Sequence, residues 1–106
     1  MNSDRLNQLL TYYKEDSNDP FIIYGIAMEY WKSDLENSRK YFELLLQEHP
    51  EYLATYYQVG HLYEEIDETE LAKDTYRKGI KLAQLQNNQN TLRELKNALD
   101  EIEFFE

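Results

Sequence analysis

His61, Glu64 and Glu65, in the stretch HLYEE, stand at i, i+3 and i+4. On a helix that spacing puts an imidazole and two carboxylates on one face, and these are donors that a divalent metal accepts. The set is poor as a metal centre, because all three donors lie on one helix and no second His cluster completes it. The carboxylates at 64, 65, 67, 68 and 70 lack the glycine turn and the ligand spacing of a calcium loop. No cysteine supplies a thiolate, and His49 and His61 have no Ser and Asp arranged about them as a triad. Gly25, Gly60 and Gly79 all fall within helical patterns, so no glycine-rich loop cradles a phosphate. The reading is a chain with no catalytic residues, no metal and no cofactor, in which chemistry means binding rather than turnover.

The whole-chain charge narrows what can be bound. A formal net charge of −10, with no basic stripe, opposes nucleic acids and anionic membrane surfaces. No apolar run reaches the ~20 residues needed to cross a bilayer. The opening MNSDRLNQLLTYYKED lacks the basic start and apolar core of a secretory leader. Together with the missing cysteines, this predicts a cytoplasmic location. A length of 106 residues fits a single domain, and with only three glycines and two prolines most of the chain is free to be helical.

Break signals divide the chain into six helical segments. Ser3 and Asp4 cap a first helix, 3–16, with apolar positions Leu6, Leu9, Leu10 and Tyr13. Asp19 before Pro20 is a strong start for a second, running to Lys32. SDLE reads as a capping box, Ser33 with Glu36, opening a third helix that ends at His49–Pro50. A fourth is expected over about 51–65. Asp67, with Glu70 three positions on, is expected to cap a fifth, whose inner face is Leu71, Ala72, Tyr76, Ile80 and Leu82 or Ala83. NNQN at 87–90 breaks the chain again. The last helix, near 91–103 within an 88–104 capping segment, carries Leu92, Leu95, Leu99 and Ile102 at helical spacing.

Two of these segments repeat. Ile23, Ile26, Ala27 and Tyr30 return 33 residues later as Tyr56, Val59, Gly60 and Tyr63. Ser38, Phe42 and Leu46 precede Ala72, Tyr76 and Ile80 by 34 residues. The second copy, Tyr56, Val59, Gly60, Tyr63, Ala72 and Tyr76, resembles the tetratricopeptide repeat, a helix–turn–helix unit of about 34 residues. The first copy departs from that pattern at Ile23 and Ser38 and has a turn one residue shorter. Pro50 takes its closing-proline place, where the second copy has Gln84. The resemblance implies an all-α, antiparallel helix-hairpin solenoid with repeats over 20–50 and 51–84, between a half-repeat helix and a capping helix. It also explains Gly60. A mid-helix glycine costs roughly 0.5–1 kcal/mol relative to alanine, offset where two backbones must approach. Gly60 with Ala72, and Ala27 with Ser38, are the expected small pairs.

Proteins of this family hold partner peptides in a concave groove lined by the first helix of each hairpin. That resemblance nominates Phe21, Tyr24, Met28, Trp31 and Lys32 on the second helix, and Tyr57, Gln58, His61, Glu64 and Glu65 on the fourth. Some members clamp acidic chaperone tails with Lys and Asn. Tyr24, Met28, Gln58 and His61 stand at those positions here, which argues against such a clamp. An aromatic and acidic surface instead suits a protein or peptide partner with apolar and basic side chains. For Tyr24, Trp31 and Tyr57, partner contact and packing inside the fold both remain open, and Phe21 has Leu10 or Tyr13 as internal alternatives. The competing function is a homodimer built on the aromatic face or on the closing EIEFFE. Phe104 and Phe105 cannot both turn inward from one helix, and one is expected on Leu82 or Leu85.

Overall fold

The computed structural model describes residues 3–106, where every regular element is an α-helix. In chain order these are α1 (Asp4–Glu15), α2 (Pro20–Trp31), α3 (Leu35–Glu48), α4 (Ala54–Glu65), α5 (Thr69–Leu85) and α6 (Gln89–Phe104). They form two compact units, α1 to α3 ending at Tyr52 and α4 to α6 opening at Leu53. Each contains one helix hairpin, α2 with α3 and α4 with α5, and one flanking helix packed on it.

In the first unit the Ser3 hydroxyl accepts from Leu6 N–H at 3.0 Å and so opens α1. Asp19 does the same for α2, accepting from Phe21 N–H at 2.9 Å, with Pro20 in the first turn. PFIIYGIAMEYW is apolar around most of its circumference because α2 has a helix on either side, α1 and α3. Ile26 meets Leu6 and Leu9 of α1, with Leu10, Tyr13, Ile22, Tyr30 and Tyr41 closing around them. Tyr30 and Tyr41 stack at 5.7 Å, and Tyr13 meets Tyr41 edge-on at 6.0 Å. Toward α3, Ala27 and Ser38 are fully buried, and the Ser38 hydroxyl donates to the Ala27 carbonyl at 2.7 Å.

Two boundaries here differ from expectation. The cap of α3 is Asp34, whose carboxylate accepts from Asn37 N–H at 3.1 Å, and not Ser33. Ser33 N–H and Asp34 N–H both bond to Tyr30 O and close the end of α2, and it is the Asp34 carbonyl, accepting from Ser38 N–H at 3.0 Å, that begins the bonding of α3. The Asn37 backbone bond, with the Asn37 amide, holds the Asp34 carboxyl below its ordinary value. The other difference is the start of α4, which lies at Ala54 rather than near Glu51. After Pro50 the chain closes a turn in which Tyr52 N–H bonds back to His49 O at 3.0 Å.

The second unit is packed around two glycines used reciprocally. A Cβ added to Gly60 of α4 would overlap the Tyr76 ring of α5. A Cβ added to Gly79 of α5 would lie 2.6 Å from Tyr56 Cβ of α4. Each helix therefore seats its aromatic residue over the other's glycine. The nearest neighbour of Gly60 is thus the Tyr76 ring and not Ala72, which is itself fully buried nearby in sequence. Leu95 and Ala98 of α6 are buried as well, and Leu95 Cδ1 would lie 3.0 Å from a Cβ on Gly79.

Helices α4 and α5 end alike. Asp67 and Asn87 take the left-handed conformation, φ 60° and 56°. Beyond them Glu68 N–H bonds to Tyr63 O at 2.8 Å and Asn88 N–H to Ala83 O at 2.9 Å, which satisfies the last carbonyls of each helix. Asp67 consequently ends α4 and does not cap α5, whose cap position is Glu68, with no side-chain capping hydrogen bond to the helix. Asn88 does cap α6, accepting from Thr91 N–H at 3.0 Å. Leu71, expected on the inner face of α5, is 40% exposed, and the buried face runs instead through Ala72, Thr75, Tyr76, Gly79 and Ala83. Neither Phe104 nor Phe105 packs inward. They are 80% and 82% exposed and meet each other edge-on at 4.9 Å.

Candidate functional site

Of the α2 residues singled out by sequence, two are committed to packing. Tyr24 is half-buried, edge-on to Phe42 at 6.1 Å and tilted against Tyr52 at 5.9 Å. Trp31 meets the same Phe42 ring from its other neighbourhood at 5.9 Å, again edge-on. Phe42 has no exposed surface, and these two aromatics cover it. Met28 is half-buried. Phe21, at 61% exposure, is the large apolar side chain that α2 leaves to solvent. Lys32 is not an idle cation: its Nζ lies 3.0 Å from Glu29 Oε2. Glu29 also accepts from the Ser3 hydroxyl at 3.1 Å and faces Arg5 at 3.5 Å, tying α1 to α2. The Lys32 bond, followed by that from Ser3, holds the Glu29 carboxyl below its ordinary value.

On α4 the sequence-selected residues form a connected strip. Tyr56, Val59, Gly60 and Tyr63 turn into the unit, while Tyr57, Gln58 and His61 are half-buried and Glu64 and Glu65 are exposed. Tyr57 meets the His61 ring at 4.5 Å. His61 Nδ1 lies 3.4 Å from Glu64 Oε2, and the hydroxyl of the buried Tyr76 donates to that same oxygen. Burial first, and the Glu64 carboxylate second, push the Tyr76 phenol far above its ordinary value, so it stays a donor. The effect is to fix Glu64 in place at the rim of α4.

Glu64 also borders a feature the sequence reading missed. A cleft of about 530 Å³ opens where the end of α4, the start of α5 and the end of α6 meet. Its walls are Glu64, Thr69, Glu101, Ile102, Phe105 and Glu106. The end of α6 is pinned to α5 by Lys73, which pairs with Glu106 and with Glu70 at 2.9 Å, and by Arg77, which meets Glu103 at 3.0 Å. Glu106 and then Glu70 raise the Lys73 ammonium above its ordinary value. Among the described residues no group of three or more His, Asp or Glu is placed to hold a metal ion, and no helix is long and apolar enough to cross a membrane.

Residues 53–84, the α4–α5 hairpin, match the family model described as tetratricopeptide repeat. Among curated proteins none matches the chain. Solved structures do match, among them two of tetratricopeptide repeat domain proteins from Salinibacter ruber. A crystal structure is 40% identical, covers 83% of this chain and 99% of its own, and superposes with a TM-score of 0.79. A solution NMR structure is also 40% identical, covers 86% and 93%, and superposes at 0.81. Identity at that level over nearly the whole of a relative, with a repeat signature whose Gly60 and Tyr76 are in contact as the packing requires, shows that this chain belongs to the tetratricopeptide repeat family.

Proposed function

We propose that this chain is a non-enzymatic protein-binding module, an adaptor or scaffold, that holds a partner segment bearing apolar and basic side chains. Tetratricopeptide repeats generally mediate protein–protein interaction, and family membership supplies that much. The observation that carries the finer reading is the α4 strip, in which Glu64 is held by Tyr76 beside the half-buried Tyr57, Gln58 and His61. A carboxylate already oriented by its own protein loses little freedom on meeting a cation, and the aromatic rims offer apolar contact at low entropic cost. The first unit by itself offers a further apolar surface on α2, in Phe21, Met28 and the edges of Tyr24 and Trp31 that Phe42 leaves uncovered. A homodimer is the second reading, favoured by the exposure of Leu85, Phe104 and Phe105 on the second unit.

Selection of displayed random peptides on the immobilised chain separates the two, with light scattering on the same sample. The binding reading expects enriched peptides that combine Lys or Arg with apolar residues, on a monomeric chain. It also expects weaker binding by Phe21→Ser and His61→Ala variants whose circular dichroism is unchanged. These substitutions are preferred to Tyr24→Ala or Trp31→Ala, which would strip the cover from Phe42. Failure to enrich any peptide, with a dimer that Phe105→Ser converts to monomer, would overturn it in favour of self-association.

A further inference from the structure

Resting on the reading above, the geometry points to a specific receptor within the second unit. We propose that the cleft at the α6 end takes an arginine side chain of the partner segment, its guanidinium between Glu64 and Glu101 and its stem on Ile102 and Phe105.

Three features carry this. The first is charge: Glu64, Glu101 and Glu106 border the opening, and none of its walls is cationic. The three are not equivalent. Glu106 is taken by Lys73, and Glu64 gives one oxygen to Tyr76, whereas Glu101 has neither a side-chain hydrogen bond nor an ion pair among the described residues. Glu64 and Glu101 line the same cleft, so a cation entering it meets both carboxylates.

The second is shape and lining. A volume of about 530 Å³ is in the range of pockets that hold ligand groups. Ile102 and the Phe105 ring offer an apolar bed for a methylene stem, and the ring face suits a planar cation. A compact metal ion fits poorly, since no group of described residues is placed to ligate one. Arginine is favoured over lysine because a fork of donors can reach two separated carboxylates and stack at the same time.

The third is preformation. Lys73 with Glu106, and Arg77 with Glu103, fix the last turn of α6 against α5, so the wall that bears Glu101 and Phe105 is in place before a partner arrives.

The test is an amide NMR titration of the full chain with acetylated, amidated hexapeptides of leucine and serine carrying one central Arg, or citrulline in its place. Citrulline keeps the shape and removes the charge. The expected result is saturating shifts at Thr69, Glu101 and Phe105 with the Arg peptide. Affinity should fall about fivefold for citrulline and for the Glu101→Gln variant, and stay unchanged for Glu94→Gln, outside the cleft. Equal affinity for Arg and citrulline peptides would overturn the proposal. Shifts confined to Tyr57, Gln58 and His61 would overturn the cleft while leaving the binding reading standing. If neither these peptides nor the library-selected ones shift any amide, both fall.

Discussion

The hairpins α2–α3 and α4–α5 solve one packing problem with different side chains. In α4–α5 the helices approach through a reciprocal exchange, Tyr76 over Gly60 and Tyr56 beside Gly79. In α2–α3 the small pair is Ala27 and Ser38, and the hydroxyl that a buried serine brings is satisfied by the Ala27 carbonyl. The fully buried Phe42 is covered from outside by Tyr24 and Trp31. Tyr76 is covered as well, by His61 edge-on at 5.9 Å, but it carries a hydroxyl that Phe42 lacks, and this reaches the rim to hold Glu64. The difference at the surface is one of polarity: a phenol in one hairpin, where the other has a phenyl ring, gives the first helix of that unit an anchored carboxylate.

The strongest way to break this comparison is to fill Gly60. Gly60→Ala should destabilise by about 3 kcal/mol, since the Tyr76 ring must leave its seat, and Gly60→Leu by more. Urea unfolding measures it, and Gly60→Ala with Tyr76→Leu should recover part of the loss. If Gly60→Ala is neutral, the close approach is not what holds the hairpin. A smaller effect belongs to the first unit. Ser38→Ala should cost about 1 kcal/mol by removing one buried hydrogen bond, while Ser38→Val should cost more through added bulk. A gain in stability with alanine would mean that the serine is a compromise rather than a substitute.

The smallest effect sharpens the difference through pH. Glu29 has its carboxyl lowered by Lys32 and Ser3, so the stabilisation it gives is fully present above its ordinary value of 4.5 and fades as pH falls below it. Stability followed from pH 6 to 3 should therefore decline less in Glu29→Gln than in the wild type. Parallel declines would show that the Ser3, Arg5 and Lys32 contacts add nothing to the anchoring of α1.

All six helices and the 33-residue repeat were legible, because Leu6, Leu9, Ile26, Val59 and Leu95 recur at a period that only a buried helix face explains. The caps were less so. Ser33 and Asp34 are both capping residue types whose N–H groups bond to Tyr30 O, and only the bond from Asn37 N–H to the Asp34 carboxylate shows which of them caps α3. Asp67 can cap a helix start or take a left-handed end, and its backbone angle, not its identity, decides. Gly79 was passed over because its partner, Tyr56, lies on the other helix of the hairpin. The cleft was hidden for a similar reason. EIEFFE advertises its two phenylalanines, whereas Glu101, Ile102, Phe105 and Glu106 line one cleft with Glu64 only once the unit is folded.

The central claim, that this chain binds a basic and apolar segment through an acidic and aromatic face, is tested most directly by one affinity measured at two salt concentrations. Fluorescence anisotropy of a library-selected peptide at 50 and 300 mM KCl should show binding about threefold or more weaker at the higher salt, with a shallower dependence in Glu65→Gln. Affinity unchanged by salt, or selected peptides that are themselves acidic, would contradict the account.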